Sequence, residues 1–417
     1  MNVRRAPAFI CVIAVAALVI AWWIHTASPA TDQHAIATSP PHVKAFPAAI
    51  DERPTLPITG KTVELCGFGQ IHVEPGGEIY PPQVRAAATS TIGRVLGAYI
   101  ADADPSTRAV GIHVQALTQG LAASDRYRST HVACEQDADC MQRAQTASVQ
   151  AMRPHADKLA SEVATMRAPQ AYALAFYLCQ RAYPTGTQVG PCAQVTPAQW
   201  ALLEPDNVIP WVAEASLALS RGDDFTRDSA LRQAAAAKTS RLHWEAILAI
   251  AAHPILNQAP PATRLAAHAE LLGMHAALPT PELSVVGQRC GDGVPMSVDR
   301  QRLCSGVATA LTAGTTLFEL SIAARTGERA GWSSDRTNVL KDKADAIRQA
   351  TSDFWDSNDL WSCKHLEKVE AHTAELFRHG EVAAGERALE KANYSEGDLA
   401  RQWRQRVQTL EMKTSRK

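Results

Sequence analysis

The chain has 417 residues, with 41 Lys and Arg against 42 Asp and Glu, so its formal net charge is -1. A charge balance this close to zero argues against a nucleic-acid-binding protein, which needs a basic surface. Hydrophobic residues make up 46% of the chain and exclude wholesale disorder. Aromatic residues are few, at 6%, and alanine is abundant, which favours helices. We therefore expect an all-α protein.

An apolar run covers residues 8–24 and follows Arg4 and Arg5. As a helix it would span about 25 Å, slightly less than the hydrocarbon core of about 30 Å. A tryptophan pair lies at its distal end, where an interfacial aromatic belt is expected. The run is therefore predicted to be a retained signal anchor that keeps the two arginines in the cytoplasm. Cleavage as a signal peptide near Ala30 is the alternative.

The rest of the chain divides by composition. Residues 1–30 are predicted to be the cytoplasmic N-terminus and the anchor, and residues 31–60, which are rich in Pro, Ala and Thr, a tether. Residues 61–417 are predicted to form a helical domain on the periplasmic side of the inner membrane. Within it, residues 61–75 alternate around two glycines, which predicts a short extended segment or hairpin.

The chain has nine cysteines, of which eight remain when Cys11 in the apolar run is set aside. An even number in an extracytoplasmic domain predicts disulfides, and the absence of a Cys-x-x-Cys pair argues against a thioredoxin-type or zinc-ribbon site. Proximity along the chain favours three pairs and elimination leaves a fourth, although eight cysteines allow 105 connectivities. The pairs are Cys134/Cys140, Cys179/Cys192, Cys290/Cys304 and Cys66/Cys363. Eight free buried thiols in a cytosolic protein are the alternative.

Helical periodicity begins at Pro81 and continues to the C-terminus. Helix starts are predicted where a capping residue precedes proline, as at Asp104-Pro105 and Thr196-Pro197. A helix from Asp137 to Met166 is expected to kink or split at Pro154. The C-terminal third is predicted to contain helices near Ser297–Thr326, Asp335–Phe354, Ser362–His379, Glu381–Ala392 and Ser395–Met412.

A helix pair with distinctive boundaries is predicted between Pro205 and Ala235. Asn207 and Pro205 precede the first helix, Trp211 and Ala215 lie on it, and Gly222-Asp223 forms the turn. These positions resemble a tetratricopeptide-type helix pair, and a fainter echo occurs at Ala374–Ala392. The resemblance implies an irregular tetratricopeptide-like array of antiparallel helix pairs.

Two short segments carry a second resemblance. Glu64–Gly67 (ELCG) and Pro205–Trp211 (P-D-N-x-x-P-W) are similar to segments of a group of proteobacterial envelope proteins. This resemblance agrees with a periplasmic body and adds no enzymatic activity.

Residues Leu303–Ala324 contain a single charge, Glu319. Gly306, Ala310 and Gly314 are spaced four apart, which makes a smooth helix face that another helix can approach closely. A second membrane span is one interpretation. Arginines flank both ends of the segment, without the asymmetry that orients a span, so a buried central helix is favoured.

Histidines recur at intervals of seven residues, at His365, His372 and His379 and again at His268 and His275. Side chains two helical turns apart are separated by about 10 Å, too far to share one metal ion. We expect these histidines to line solvated or half-buried flanks, and no metal or cofactor site is predicted.

No nucleotide-binding or hydrolase signature is present, and no catalytic residue is assigned. The acidic pairs Asp137/Asp139 and Asp223/Asp224 lie at helix starts and are interpreted as caps. Most tryptophans, among them Trp200, Trp211 and Trp244, are expected in the core. The basic C-terminal helix from Arg401 is expected to close the array, with binding to anionic lipid as the alternative.

These observations predict a membrane-tethered periplasmic binding or scaffolding protein that uses a helical-repeat surface. Its expected partners are the inner membrane, through residues 8–24, and an unknown protein or peptide. An envelope hydrolase or transferase with carboxylates in a helical groove is an alternative, which two converging carboxylates, or a histidine beside a carboxylate, in a deep pocket would favour. A two-span membrane protein is the third possibility.

Overall fold

The computed structural model describes residues 61–73, 80–131, 134–184, 188–277, 283–291, 296–355, 361–392 and 394–414. These residues are mostly helical, as the all-α prediction expects. The anchor and tether predicted for residues 1–60 lie outside the described residues.

Two short strands, β1 (Lys61–Leu65) and β2 (Gly69–Val73), form an antiparallel hairpin at the start of the described part. The α-helices that follow are α1 (Pro82–Ile100), α2 (Pro105–Thr130), α3 (Ala138–Val163), α4 (Pro169–Ala182), α5 (Pro197–Leu203), α6 (Val208–Ser220), α7 (Asp224–Ala236), α8 (Pro254–Asn257), α9 (Pro261–Ala276), α10 (Ser284–Cys290), α11 (Val298–Leu311), α12 (Leu317–Arg329), α13 (Ser334–Trp355), α14 (Cys363–Ala392) and α15 (Glu396–Thr414). Segments of 3-10 helix lie between them at Cys134–Gln136, Gly190–Gln194 and Trp244–Ala252.

Side-chain caps explain where many of these helices begin. In each case a side-chain oxygen accepts a hydrogen bond from a backbone N–H of the first turn, which would otherwise have no partner. The capping residues include Asp104, Asp137, Thr196, Asn207 and Asp223. The interpretation of Asp137 and Asp223 as caps is therefore confirmed.

Helices α2 and α3 form an antiparallel pair. Three contacts show the direction, because the position on α3 decreases as the position on α2 increases: Arg108 with Glu162, Gln119 with His155, and Tyr127 with Arg143. Helices α12 and α13 are antiparallel by the same criterion, because Ser321 contacts Arg348 and Glu328 contacts Lys341.

Pro154 lies inside α3, which continues to Val163. Of the two predicted outcomes, a kink or a split, the split is wrong because the helix is continuous through the proline. A proline costs a helix one backbone hydrogen bond and about 3 kcal/mol in an exposed interior. Here α2 and α4 both pack against α3, and this packing offsets the loss.

The predicted continuous helix over Ser297–Thr326 is also wrong, because the chain breaks between α11 and α12. Thr316 caps α12 by accepting from the backbone N–H of Glu319, and the Glu319 carboxylate accepts from the backbone N–H of Thr316. The single charge of the apolar segment is thus part of a capping box that starts a new helix. Among the helices of the described residues, none combines the length and the apolarity that a bilayer crossing requires.

Four disulfides link the described residues: Cys66–Cys363, Cys134–Cys140, Cys179–Cys192 and Cys290–Cys304. These pairs coincide with those that proximity and elimination favour. Cys134 and Cys140 are the pair closest in sequence and need a turn between them to bond, and the 3-10 segment Cys134–Gln136 supplies it. The Cys66–Cys363 bond joins the hairpin to the start of α14, where the Cys66 N–H also donates to the Trp361 carbonyl (2.8 Å).

A large hydrophobic core extends from Leu65 to Ala384, with Trp200 and Tyr177 among its largest fully buried side chains. A smaller apolar cluster, which includes Ile347 and Leu399, lies between α13 and the last helices. At Gly380, φ is 79°, so α14 consists of two helical segments that meet there. This is the boundary predicted between residues 379 and 381.

Candidate functional site

Six residues form a polar centre within the helical body. They are Trp200, Glu204, Asn207, Ser240, His243 and Glu319. The segment from Ser240 to His243 joins its two halves, because Ser240 contacts Glu319 and His243 contacts Glu204. The centre therefore connects the predicted tetratricopeptide-like helix pair to the start of α12.

Glu204 is the acceptor of the first half. Its Oε2 atom accepts hydrogen bonds from Trp200 Nε1 (2.9 Å), Asn207 Nδ2 (3.1 Å) and His243 Nε2 (3.0 Å). Burial alone would raise the pKa of this carboxyl, but the hydrogen bond and the charge of His243 dominate and lower it. The Glu204 and His243 side chains are each 12% exposed, so the pair reaches solvent only at an edge.

His243 has a left-handed backbone, with φ of 61°, and no other non-glycine residue of the described ranges has a positive φ. Asn207 holds the chain just before it, because its side chain accepts from the Arg241 N–H and donates to the Arg241 carbonyl. A strained residue persists only where its surroundings over-determine it, and such residues cluster at functional sites. The conformation of His243 therefore marks this half as the better candidate for chemistry.

Glu319 is the acceptor of the second half and is completely buried, at 0% exposure. Its Oε2 atom accepts from the Thr316 hydroxyl (2.8 Å) and the Thr316 N–H (3.0 Å), and the Ser240 hydroxyl contacts Oε1. Burial raises the pKa of Glu319 to about 7 despite these hydrogen bonds. The carboxyl group can therefore exchange a proton near neutral pH.

Aromatic rings border the polar centre. The ring of Tyr177 lies 5.6 Å from that of Trp200 and 6.2 Å from that of Trp244, between centroids. Burial raises the pKa of Tyr177, and the charges of Glu319 and neighbouring glutamates raise it further. Tyr177 Oη and Trp244 Nε1 are buried donors without a partner among the described atoms. These three buried rings shield the polar centre from solvent on the side where they lie.

A groove of about 300 Å³ lies elsewhere, between α1 and the start of α9. Arg94, Thr91, Gln258 and Thr263 supply its polar lining. It contains none of the residues of the polar centre, so the histidine beside a carboxylate is not in this groove. The arrangement meets only part of the criterion for the hydrolase alternative.

The histidines spaced by seven meet across two helices. His268 and His365 are buried, His275 and His372 are half-buried, and His379 is exposed. A solvated or half-buried flank was thus the wrong prediction for His268 and His365, because α9 and α14 pack against each other. Within the described ranges, no group of three or more His, Cys, Asp and Glu is placed to hold a metal ion.

The prediction of core tryptophans holds for Trp200 and Trp244, which are buried, whereas Trp211 is only half-buried. The pairing of Glu204 with His243 was missed. The only sequence signal near this pair is the segment Glu204–Asn207, and its pattern indicates a helix break rather than a paired carboxylate. The partner histidine lies 39 residues further on, outside any local pattern.

Fold and site together define an all-α protein with several disulfides and a shielded polar centre. Comparisons with protein-family models, with curated proteins and with solved structures yield no match to this chain.

Proposed function

We propose that the protein is a binding or scaffolding protein of the periplasm, held at the inner membrane by residues 8–24. The main support for this location is the set of four disulfides, which join all eight cysteines of the body. Disulfides form and persist in oxidising compartments and are rare in the cytosol. They support an extracytoplasmic body, and we infer the retained anchor from the tryptophan pair at the distal end of the apolar run.

The surface of the tetratricopeptide-like segment supports a binding role. Leu202 on α5 is 78% exposed and Phe225 at the start of α7 is 81% exposed. An exposed apolar side chain gains free energy when a partner covers it, in proportion to the apolar area that leaves water. We propose that α5, α6 and α7 act as an irregular tetratricopeptide-like unit that presents these side chains to the partner.

Topology is tested by alkaline phosphatase fused after residue 60 and by thiol labelling in intact cells. We expect an active fusion and labelling of at most Cys11 before reduction, with all nine cysteines labelled after reduction and unfolding. An inactive fusion, or labelling of the body without reductant, contradicts the proposed location.

Binding is tested by placing a photo-crosslinking amino acid at Phe225 or Leu202 in the native envelope. The matched control is Val339 on α13, which is 60% exposed. We expect one discrete adduct from the first two positions and none from the control. No adduct, or equal adducts from all three positions, argues against this surface.

A specific observation favours a second candidate, an envelope hydrolase or transferase. His243 is paired with Glu204 and has a strained backbone, an arrangement that suits a general base. Purified protein would be assayed with aryl ester and aryl phosphate substrates beside the E204Q variant. Turnover that depends on Glu204 supports the enzyme, and equal rates for the two proteins remove it.

A further inference from the structure

Four histidines lie on α9 and α14, two helices that pack against each other. His268 and His275 lie on α9, and His365 and His372 lie on α14. The two helices are distant in sequence, and 105 residues separate His268 from its contact Thr373. The contact therefore forms only when the tertiary structure is complete.

His268 sets the chemistry at one end of this contact. The Thr373 hydroxyl donates to the Val369 carbonyl (2.8 Å), so its oxygen accepts from His268 Nδ1 (3.2 Å). With its proton on Nδ1, the neutral ring carries no hydrogen on Nε2. Nε2 is buried without a partner among the described atoms, so a second proton there would have no acceptor.

The α14 histidines pack on aromatic rings from the end of α13. Phe354 lies 4.9 Å from His365 and 5.2 Å from His372, between ring centroids. Trp355 lies 6.2 Å and 6.4 Å from the same two rings. An apolar wall of this kind stabilises a neutral imidazole and disfavours a charged one.

The pKa values agree with this geometry. Burial lowers the pKa of His268, of His275 and of His372 to about 4 each. The charge of Arg264 lowers that of His268 further, and His275 and His372 lie close enough for the charge of one to lower the pKa of the other. Glu375 opposes the shift of His372 only in part.

Charged groups on the surrounding elements are engaged elsewhere. Arg264 on α9 pairs with Glu370 on α14 (3.4 Å), and Glu375 pairs with Arg387. Burial raises the pKa of Glu270 on α9.

The remaining neighbours lie at the margins. Asp353 on α13 accepts from Gln349 (2.7 Å), and Arg94 on α1 lines the groove at the start of α9. Arg85 on α1 and Glu367 and Lys368 on α14 are exposed. Glu245, on the 3-10 helix Trp244–Ala252, acts on Tyr177 and Glu319 in the polar centre.

We propose that His268, His275 and His372 form an acid-sensitive latch, which keeps α14 on α9 while their rings are neutral and releases it on acidification. Two features would confine the movement to the first segment of α14. The Cys66–Cys363 disulfide holds its start, and the non-helical backbone of Gly380 separates its end from the second segment. Release would expose the apolar faces of both helices in response to external pH.

The size of the effect follows from proton linkage. An imidazole that moves from a site with a pKa of about 4 to water, where its pKa is about 6.5, favours the open state roughly 30-fold at pH 5. At pH 7.5 the same factor is close to one. Opening of α14 should therefore increase at least tenfold between pH 7.5 and pH 5.

The test is hydrogen exchange with mass spectrometry on the full-length protein in nanodiscs at pH 7.5 and pH 5, corrected for intrinsic exchange rates. We expect peptides of α9 and of the first segment of α14 to lose at least tenfold protection at pH 5, while α2 and α3 stay protected. The double variant His275→Gln and His372→Gln should lose most of this response.

The matched control is His113→Gln on α2, a buried histidine outside the latch whose pKa burial also lowers to about 4. It should keep the wild-type response of α9 and α14. Unchanged protection at pH 5, loss of protection along the whole chain at once, or a full response in the double variant would each overturn the proposal. If circular dichroism shows that the glutamine pair does not fold at pH 7.5, the pair with phenylalanine at both positions replaces it with the same expectation.

Discussion

The polar centre and the histidine latch bury similar side chains in opposite ways. In the polar centre, Glu204 accepts three donors and Glu319 accepts from Ser240 and Thr316. In the latch, neutral rings pack against Phe354, and the Nε2 atom of His268 has no partner among the described atoms. The polar centre thus pairs its ionisable side chains with hydrogen-bond partners, whereas the latch leaves a buried ring nitrogen without one.

The difference shows that burial alone does not determine what a polar side chain contributes. His243 in the polar centre and His268 in the latch are the same residue type, and the first faces a carboxylate while the second faces a hydroxyl. A carboxylate partner stabilises a charged imidazole, whereas a hydroxyl and apolar rings favour the neutral form. We expect the polar centre to give rigidity and the latch to give a response to pH.

The largest stability effect is expected from the disulfide at the start of α14. Replacing Cys66 and Cys363 by alanine opens a loop of 297 residues. The chain-entropy model predicts a loss of about 5 kcal/mol in unfolding free energy. Urea unfolding of the double variant measures it. The matched pair Cys134→Ala with Cys140→Ala, which opens only six residues, should lose about 2 kcal/mol. Equal losses of unfolding free energy in the two variants would show that α14 does not depend on the Cys66–Cys363 disulfide.

Glu204→Ala should cause the next largest loss, about 4 kcal/mol, because three hydrogen bonds lose their acceptor and the donor of one of them, Trp200, is fully buried. The donors belong to Trp200, Asn207 and His243. Glu204→Gln keeps one acceptor oxygen and should lose about half as much. Chemical denaturation at pH 7 compares the two, and an unchanged midpoint for the alanine variant would contradict the rigid role of the centre.

Glu319 should make the polar centre respond to pH in the direction opposite to the latch. The folded protein raises its pKa from 4.5 to about 7, so its stabilising contribution is present below pH 4.5 and is lost as pH rises to about 7. Glu319→Gln mimics the protonated form and should gain about 2 to 3 kcal/mol relative to wild type between pH 5 and pH 8.

Urea titrations of wild type and variant at both pH values measure this difference. Glu204→Gln is the control, because the pKa of Glu204 is held below its usual range. That variant should show no gain with rising pH. A flat difference for Glu319→Gln would mean that the carboxyl ionises as it does in water.

The smallest effects on stability are expected at two helical glycines, one in a tight helix contact and one beside open space. A Cβ at Gly306 on α11 would lie 2.8 Å from Ala235 Cβ, so Gly306→Ala should lose about 2 kcal/mol by overpacking. A Cβ at Gly273, on the latch helix α9, meets no atom within 4 Å. Gly273→Ala should therefore gain about 0.5 kcal/mol from helix propensity. Thermal melts of both variants check the signs, and losses of equal size would contradict the contrast.

Much of the fold could be predicted because its signals are local. Asp104, Thr196 and Asp223 mark helix starts through bonds to residues three positions away, and Gly380 marks a break through its own backbone. The two wrong boundaries also have physical causes. Pro154 stays helical because neighbouring helices pack around it, and Thr316 starts a new helix in a segment that is apolar enough to suggest continuity.

The candidate site could not be predicted in the same way. Glu204 meets His243 over 39 residues and Ser240 meets Glu319 over 79 residues. No periodicity connects such positions. The spacing of seven did place His268 and His275 on one helix face, but only the packing of α9 on α14 turned that face into an interface.

The amino-acid sequence by itself determined the helical class, most helix ends and an even set of cysteines suited to cross-linking, because these depend on backbone preferences and on neighbours within a few residues. The tertiary structure alone decided which polar groups became partners and which became isolated, because burial and pairing are properties of surfaces that meet only after the chain has folded.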